Sequence, residues 1–159
     1  FDKNNRKNTS NDVNKSWELA KQKEKQRKNI LDGVPKNLPA LIRARRIQEK
    51  AANVGFDWKE LHPVIDKVDE EIAELKEAIT SKNSDNIKDE MGDAFFSLVN
   101  LCRFLNINPE DALRMTIAKF ETRFSKIEKE LSKKGKLLTD STLEEMDKIW
   151  NSIKKKSCI

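Results

Sequence analysis

Five acidic side chains stand in two groups, Glu70, Glu71 and Glu74 in one and Glu90 and Asp93 in the other. On a helix that turns about 100° per residue, Glu71 and Glu74 project about 60° apart on one side, and Glu90 and Asp93 do the same on theirs. If two such helices face each other, four carboxylates converge. Anions so placed cannot all stay ionised without cations, and an all-oxygen ligand set suits a hard ion, Mg²⁺ or alternatively Mn²⁺. An E-x-x-E spacing also describes an ordinary solvent-facing acidic helix, and two features weigh against that reading. Gly92 interrupts Glu90-Met91-Gly92-Asp93 in mid-helix, where it costs about 1 kcal/mol against Ala and predicts that something approaches closely. The acids also adjoin the apolar stripes, Glu71 beside Ile72 and Glu90 beside Met91.

Other residues bear on the same chemistry. Lys119 and Arg123, at i and i+4, put two cations on one helix face, suited to phosphate oxygens or to an ordinary surface beside Glu121. Asn100 lies two turns beyond Asp93 on the same face, in an otherwise apolar run, as a ligand contact or a satisfied buried amide. Trp58 and Trp150 offer faces for a nucleobase, although Trp is more often core. The one histidine, His62, has no E-x-x-H partner, which argues against di-iron carboxylate chemistry and leaves it a structural role. There is no Walker loop or dinucleotide fingerprint, so any phosphate must be handled by metal and side chains.

The elements that must position these groups read as helices. Asn37 is placed to cap a first helix beginning Leu38-Pro39 and ending near Gly55. Phe56-Asp57-Trp58 connects it to a second helix opened by Pro63, with Ile65, Val68, Ile72, Leu75 and Ile79 predicted as one buried stripe. The link Ser81-Lys82-Asn83-Ser84 is so short that the next helix, with Ile87, Met91, Phe95, Leu98, Leu101 and Leu105 along one side, must run antiparallel to it. Asn108-Pro109-Glu110-Asp111 opens a fourth helix, with Leu113, Ile117, Phe120, Phe124, Ile127 and Leu131 along it, and Gly135 ends it. Thr142-x-x-Glu145 is a capping box for a last helix carrying Met146, Ile149 and Ile153. The expected fold is all-α, a small bundle of four to five helices over residues 35–155, with folding beginning near Asn37.

Composition agrees. Of the 159 residues, 36% are hydrophobic and 37% charged, with four Gly, four Pro and no Tyr, a profile of amphipathic helices rather than of a turn-rich β fold. Residues 1–30 hold nine Lys or Arg against four acids, and the remaining residues balance at 23 of each sign, so the net charge of +5 sits in residues 1–30 of a basic arm read as residues 1–34. That arm mixes both signs without interleaved aromatics, which fits a linker, disordered at first and then a charged helix from Trp17 to Ile30, better than a nucleic-acid reader. Cys102 and Cys158 have no metal or disulfide spacing, and no run has the length of a membrane span, so a cytoplasmic setting is expected.

At this point Glu70-Glu71-Ile72-Ala73-Glu74 followed by Glu90-Met91-Gly92-Asp93 resembles the signature of MazG-type nucleoside triphosphate pyrophosphohydrolases. The resemblance extends through Leu38-Pro39-Ala40-Leu41, Ala51 to Trp58, Val99-Asn100-Leu101, Lys119-Phe120-Glu121-Thr122-Arg123-Phe124 and Met146 to Trp150. It implies an all-α homodimer that hydrolyses nucleoside triphosphates, deoxy forms included, to the monophosphate and pyrophosphate with Mg²⁺. It further implies Glu71, Glu74, Glu90 and Asp93 as metal ligands, Lys119 and Arg123 on the phosphates, and Lys67 as a further phosphate contact. Because the segment Trp17 to Lys25 resembles an inter-domain linker of tandem relatives, the chain reads as a C-terminal half. Two rival readings are a non-catalytic helical module for dimerisation or partner binding, and a base-selective dUTP or dCTP pyrophosphatase.

Overall fold

The computed structural model describes Trp17 and residues 29–156. The stretch between Trp17 and Asn29, where a charged linker helix is expected, and Cys158 lie outside the described residues. The protein is all-α. Helices α1 (Ala40–Asn53), α2 (His62–Ser81), α3 (Ser84–Phe104), α4 (Pro109–Lys133) and α5 (Leu143–Lys156) are joined by short links, the last with a 3₁₀ turn at Leu138–Asp140; another 3₁₀ turn, Ile30–Gly33, precedes α1, and no strand occurs among the described residues.

Local chemistry sets most helix ends. α1 begins at Ala40, after the expected Leu38-Pro39, because Pro39 is extended (φ −50°, ψ 142°) and a proline disfavours helical backbone in the residue before it. It ends as expected at Gly55, whose φ of 96° lets Phe56 N–H return to the Ala51 carbonyl at 3.0 Å. Asn108 accepts from the Glu110 N–H at 3.1 Å at the start of α4. The predicted capping box at α5 forms in both directions: Glu145 N–H donates to Thr142 Oγ1 at 3.3 Å and Thr142 N–H to Glu145 Oε2 at 3.0 Å.

The chain forms two compact units, dividing between Glu110 and Asp111 within α4. In the first, α2 and α3 pack along their length and α1 packs on α3. Its folded part starts before Asn37, since Val34 is buried. The buried seam of α2 is Val64, Glu71, Leu75 and Ala78, and that of α3 includes Ala94 and Ser97. This corrects the predicted stripes: Ile65 is 42% exposed, Ile79 53% and Phe95 56%. The seam mixes the small side chains of Ala78, Ala94 and Ser97 with Val64 and Leu75, and the bulky Ile65, Ile79 and Phe95 flank it. In the second unit Ile127, Leu131 and Ile153 form a core with Leu138, Met146, Ile149 and Trp150 against it. Lys136 Nζ donates to both Glu145 oxygens, at 2.8 and 2.6 Å, tying the loop after α4 to the first turn of α5.

That ion pair and the Thr142 cap hold the Glu145 carboxyl below its ordinary value of 4.5. A carboxyl depressed in the folded state adds stability above its unfolded value that is lost as pH falls through the folded one. Glu145→Gln is therefore expected to lower Tm at pH 7, with the gap to wild type closing as the pH is taken below 4.5; thermal melts across that range check this.

Candidate active site

The turn between α2 and α3 sets the register of the site. Lys82 adopts left-handed backbone (φ 56°), and Asn83 caps α3 by accepting from Asp85 and Asn86 N–H groups at 3.2 and 3.4 Å. So tight a reversal places residues equidistant from it side by side, and Glu71 comes opposite the turn of α3 that carries Glu90 and Asp93. One carboxylate oxygen from each of Glu71, Glu90 and Asp93 lies within 4.8 Å of the others, a group that could hold a metal ion.

The electrostatics of this group are strained in a direction that a cation relieves. Glu71 is only 6% exposed, and an ionised carboxylate so buried needs a partner. Lys67, one turn earlier, puts Nζ 2.8 Å from Glu71 and 2.9 Å from Glu70. Those two hydrogen bonds hold the Lys67 ammonium above the usual lysine range. No cation among the described residues offsets Glu90: desolvation first, then the charges of Glu74, Asp93, Glu71 and Asp89, push its carboxyl above 4.5. Glu74, the fourth carboxylate of the expected set, is exposed and outside the group within 4.8 Å, yet its charge still acts on Glu90. All-oxygen, negatively charged and crowded, the donor set fits a hard divalent cation.

Glu71, Asp93 and Lys67 also line a cavity of about 430 Å³, whose wall is built from Ile47, Ala51, Val64, Trp58 and Phe96 with Gln48, Ser97 and Asn100 among them. That is the size and character of a small-molecule site, apolar with a few polar groups. Asn100 is a satisfied buried amide, 8% exposed and accepting from Arg103 Nε at 2.9 Å, and it also lines the cavity. Trp58 is not core; 44% exposed, it forms part of the wall. Its loop is anchored by a two-pronged ion pair between Arg103 and Asp57 at 2.6 and 2.9 Å.

Three members of the site carry no signal in local spacing. Asp57 and Arg103 lie 46 residues apart and meet through the fold alone. Gln48 is one buried amide on a helix whose lining neighbours Ile47 and Ala51 read as plain core. Two other expectations resolve differently. His62, assigned a structural role, is exposed and paired with Asp66 at 2.9 Å. A Cβ added at Gly92 would meet nothing within 4 Å among the described residues, so none of them approaches it closely.

Lys119, Arg123 and Trp150 belong to the second unit. There the Arg123 guanidinium lies 5.6 Å from the centre of the Trp150 ring, and Phe120 packs on Trp150 at 5.4 Å. Lys119 is exposed.

Comparison with known proteins accords with this geometry. The family described as the MazG nucleotide pyrophosphohydrolase domain matches residues 60–127, a stretch that includes all three clustered carboxylates. A protein of Thermotoga maritima named nucleoside triphosphate pyrophosphohydrolase/pyrophosphatase MazG is 44% identical over 88% of this chain and 54% of its own length. The nucleoside triphosphate pyrophosphohydrolase of Escherichia coli K12 is 41% identical over 92% of this chain and 57% of its own. The uncharacterized protein YabN of Bacillus subtilis is 44% identical over 91% of this chain and 30% of its own. The chain thus spans a little over half the length of the first two.

The acidic cluster makes a prediction independent of any turnover. Because folding raises the Glu90 carboxyl, its ionised form at pH 7 opposes folding, so Glu90→Gln should raise the Tm of the metal-free protein. Added Mg²⁺ should raise the wild-type Tm, by a margin equivalent to about 2.7 kcal/mol at a hundred times Kd. Glu90→Gln and Asp93→Ala should lose most of that rise, as read by thermal melts with and without MgCl₂.

Proposed function

We infer the activity from the domain this chain carries, which is a MazG nucleotide pyrophosphohydrolase domain: it hydrolyses nucleoside triphosphates, ribo and deoxy, to the monophosphate and pyrophosphate, with Mg²⁺ or Mn²⁺. One observation carries this reading. Two of the three carboxylates within 4.8 Å, Glu71 and Asp93, line a cavity of about 430 Å³ together with Lys67, so a cation site opens onto an apolar space of nucleoside size. The names of the Thermotoga and E. coli relatives supply the substrate class.

In this reading Glu71, Glu90 and Asp93 hold the cation, with Glu74 adding negative charge beside them. When bound, the cation neutralises triphosphate charge and polarises the phosphoryl group under attack. Lys67, already at the cavity wall, donates to a phosphate oxygen, while Glu70 shares its ammonium and stays in solvent. Lys119 and Arg123, for which the resemblance implies phosphate contacts, and Trp150, proposed as an aromatic contact, are carried by the second unit. Asn100 orients the sugar or base from the wall. A carboxylate of the cluster positions the attacking water and takes its proton, the water oxygen bonds to phosphorus, and the bond to pyrophosphate breaks.

We further propose that the chain works as a homodimer. Met91, Phe95, Leu98 and Leu105 run at 4,3,7 spacing along α3 and are 39 to 56% exposed, with Ile65 and Ile79 exposed on α2. Monomeric proteins rarely leave so long an apolar stripe to water. Gly92 lies beside this stripe with open space over it, which supports the approach of a second copy there. A cytoplasmic setting accords with the free thiol of Cys102, and no described helix is long and apolar enough to cross a membrane.

The activity is tested by incubating the chain with the eight canonical ribo and deoxy triphosphates, with and without Mg²⁺, and separating pyrophosphate from orthophosphate release. Pyrophosphate that requires Mg²⁺ is expected. Glu71→Ala or Asp93→Ala should reduce it at least about a hundredfold, the equivalent of several kcal/mol of lost charge stabilisation, with helicity retained. Release from dUTP or dCTP alone would favour the base-selective reading, and no release would favour a non-catalytic module. Sedimentation equilibrium should give twice the chain mass, and Phe95→Glu with Leu98→Glu should halve it; a monomeric wild type would sink the dimer.

A further inference from the structure

Four residues of the cavity wall, Trp58, Asp57, Arg103 and Asn100, are joined by an unbroken run of hydrogen bonds. Asp57 Oδ1 accepts from the Trp58 backbone N–H at 2.9 Å and from Arg103 Nη2 at 2.6 Å, and Asp57 Oδ2 accepts from Arg103 Nη1 at 2.9 Å. Arg103 Nε donates to Asn100 Oδ1, also at 2.9 Å. The run begins beside an aromatic ring on the loop after α1 and ends on an amide of α3.

Arg103 is the member on which both ends depend. Its side chain is 14% exposed and that of Asp57 25%, so the pair stands largely out of water, and a two-pronged guanidinium bond fixes an orientation as well as a distance. Among the described residues no other side-chain hydrogen bond or ion pair ties residues 56–61 to a helix. Phe56 is 84% exposed and Trp58 44%, so burial contributes little to holding the loop where it lies. At the other end, Nε can only donate, so the Asn100 amide cannot turn over without losing its bond. All three guanidinium nitrogens are thereby committed to Asp57 or Asn100.

We propose that Arg103 is a positioning residue for the base-holding wall of the cavity: it acts through the Trp58 ring and the Asn100 amide, holding both where they bind the nucleoside, and not through the phosphates or the cation. The role rests on the nucleotide reading above and deepens it. An exposed ring on a loop gives up part of its stacking energy to the entropy of being ordered, and a loop already fastened has met that cost before the base arrives. Loss of Arg103 is then felt as loss of the part of the affinity that the base supplies.

The test measures that part directly. Calorimetry on the full chain with AMP and with ribose 5-phosphate, which lacks the base, gives for each protein the factor by which the base tightens binding. General damage to the fold lowers both affinities and leaves the factor alone. The wild type should bind AMP about tenfold more tightly than ribose 5-phosphate. Arg103→Gln should bring the factor toward one and raise KM for ATP by a similar multiple, with a smaller change in kcat and the Mg²⁺-induced rise in Tm kept. Arg103→Gln also leaves the Asp57 carboxylate without its counter-charge. Arg103→Lys keeps that charge but lacks the fork and the bond to Asn100, so it should fall between the two, and it decides the matter if Arg103→Gln does not fold. An unchanged factor overturns the proposal, as does a wild type that binds the two ligands equally. Equal loss of both ligands, or a fall in kcat with KM unchanged, would place Arg103 on the phosphates and overturn it too. The expected change in the factor, in a protein that hydrolyses no triphosphate, would overturn the hydrolase reading and leave the positioning role standing. No binding of either ligand and no hydrolysis would overturn both.

Discussion

A carboxylate in the seam between two helices is the constraint around which the first unit is arranged. Glu71 occupies the same buried face of α2 as Val64, Leu75 and Ala78, where an apolar residue would pack without electrostatic penalty. Its charge is tolerated because Lys67 reaches it from the preceding turn, while the packing of α3 along α2 sets Glu90 and Asp93 beside it. A buried carboxylate left uncompensated would shift its pKa and neutralise. Here the compensation is partial: Lys67 serves Glu71, whereas Glu90 sits among four acids and is held above its ordinary range. The folded state thus carries an electrostatic deficit at one spot, and a divalent cation is the natural means of filling it.

The remainder of that unit brings an apolar space to the same spot. The loop between α1 and α2 would have little reason to lie over α3 without the Arg103–Asp57 pair, which fastens Phe56-Asp57-Trp58 to the helix that also bears Asp93 and Asn100. Arg103 holds the loop with its terminal nitrogens and the Asn100 amide with Nε, so one side chain positions two parts of the cavity wall. Gln48 adds the third helix to the same wall. α2 and α3 therefore contribute to the site from their packed faces, while the exposed Ile65, Phe95 and Leu98 lie along the edges of those faces. Among the described residues nothing covers these bulky apolar side chains fully.

Much of this was legible in the sequence, and the reason is that helices report their local chemistry directly. The Thr142/Glu145 box, the Asn108 and Asn83 caps, the break at Gly55 and the tight link at Lys82-Asn83 are all short-range events, decided within a few residues. The antiparallel pairing of α2 with α3 follows from the link length, and with it the meeting of Glu71 with Glu90 and Asp93. Which apolar line on each helix would be buried was not so decided. Ile65 and Leu75 are both apolar at helical spacing, and a helix with apolar residues over a wide arc does not declare which edge packs within the chain. In the fold Leu75 and Val64 went into the seam beside Ala78, Ala94 and Ser97, while Ile65, Ile79 and Phe95 were left at its exposed edge.

By itself, then, the sequence determined the all-α architecture, most of the helix ends and the two helices that carry the acids, since each rests on spacing of 3 to 4 residues or on a cap. Only the tertiary structure decided that three of the four expected carboxylates lie within ligand distance, that Trp58 lines a cavity rather than filling a core, and that Asp57, Arg103 and Gln48 belong to the site. Those outcomes depend on how three helices are rotated and how one loop is fastened. Contacts across 46 residues, such as Asp57 with Arg103, leave no periodic trace in the chain that makes them.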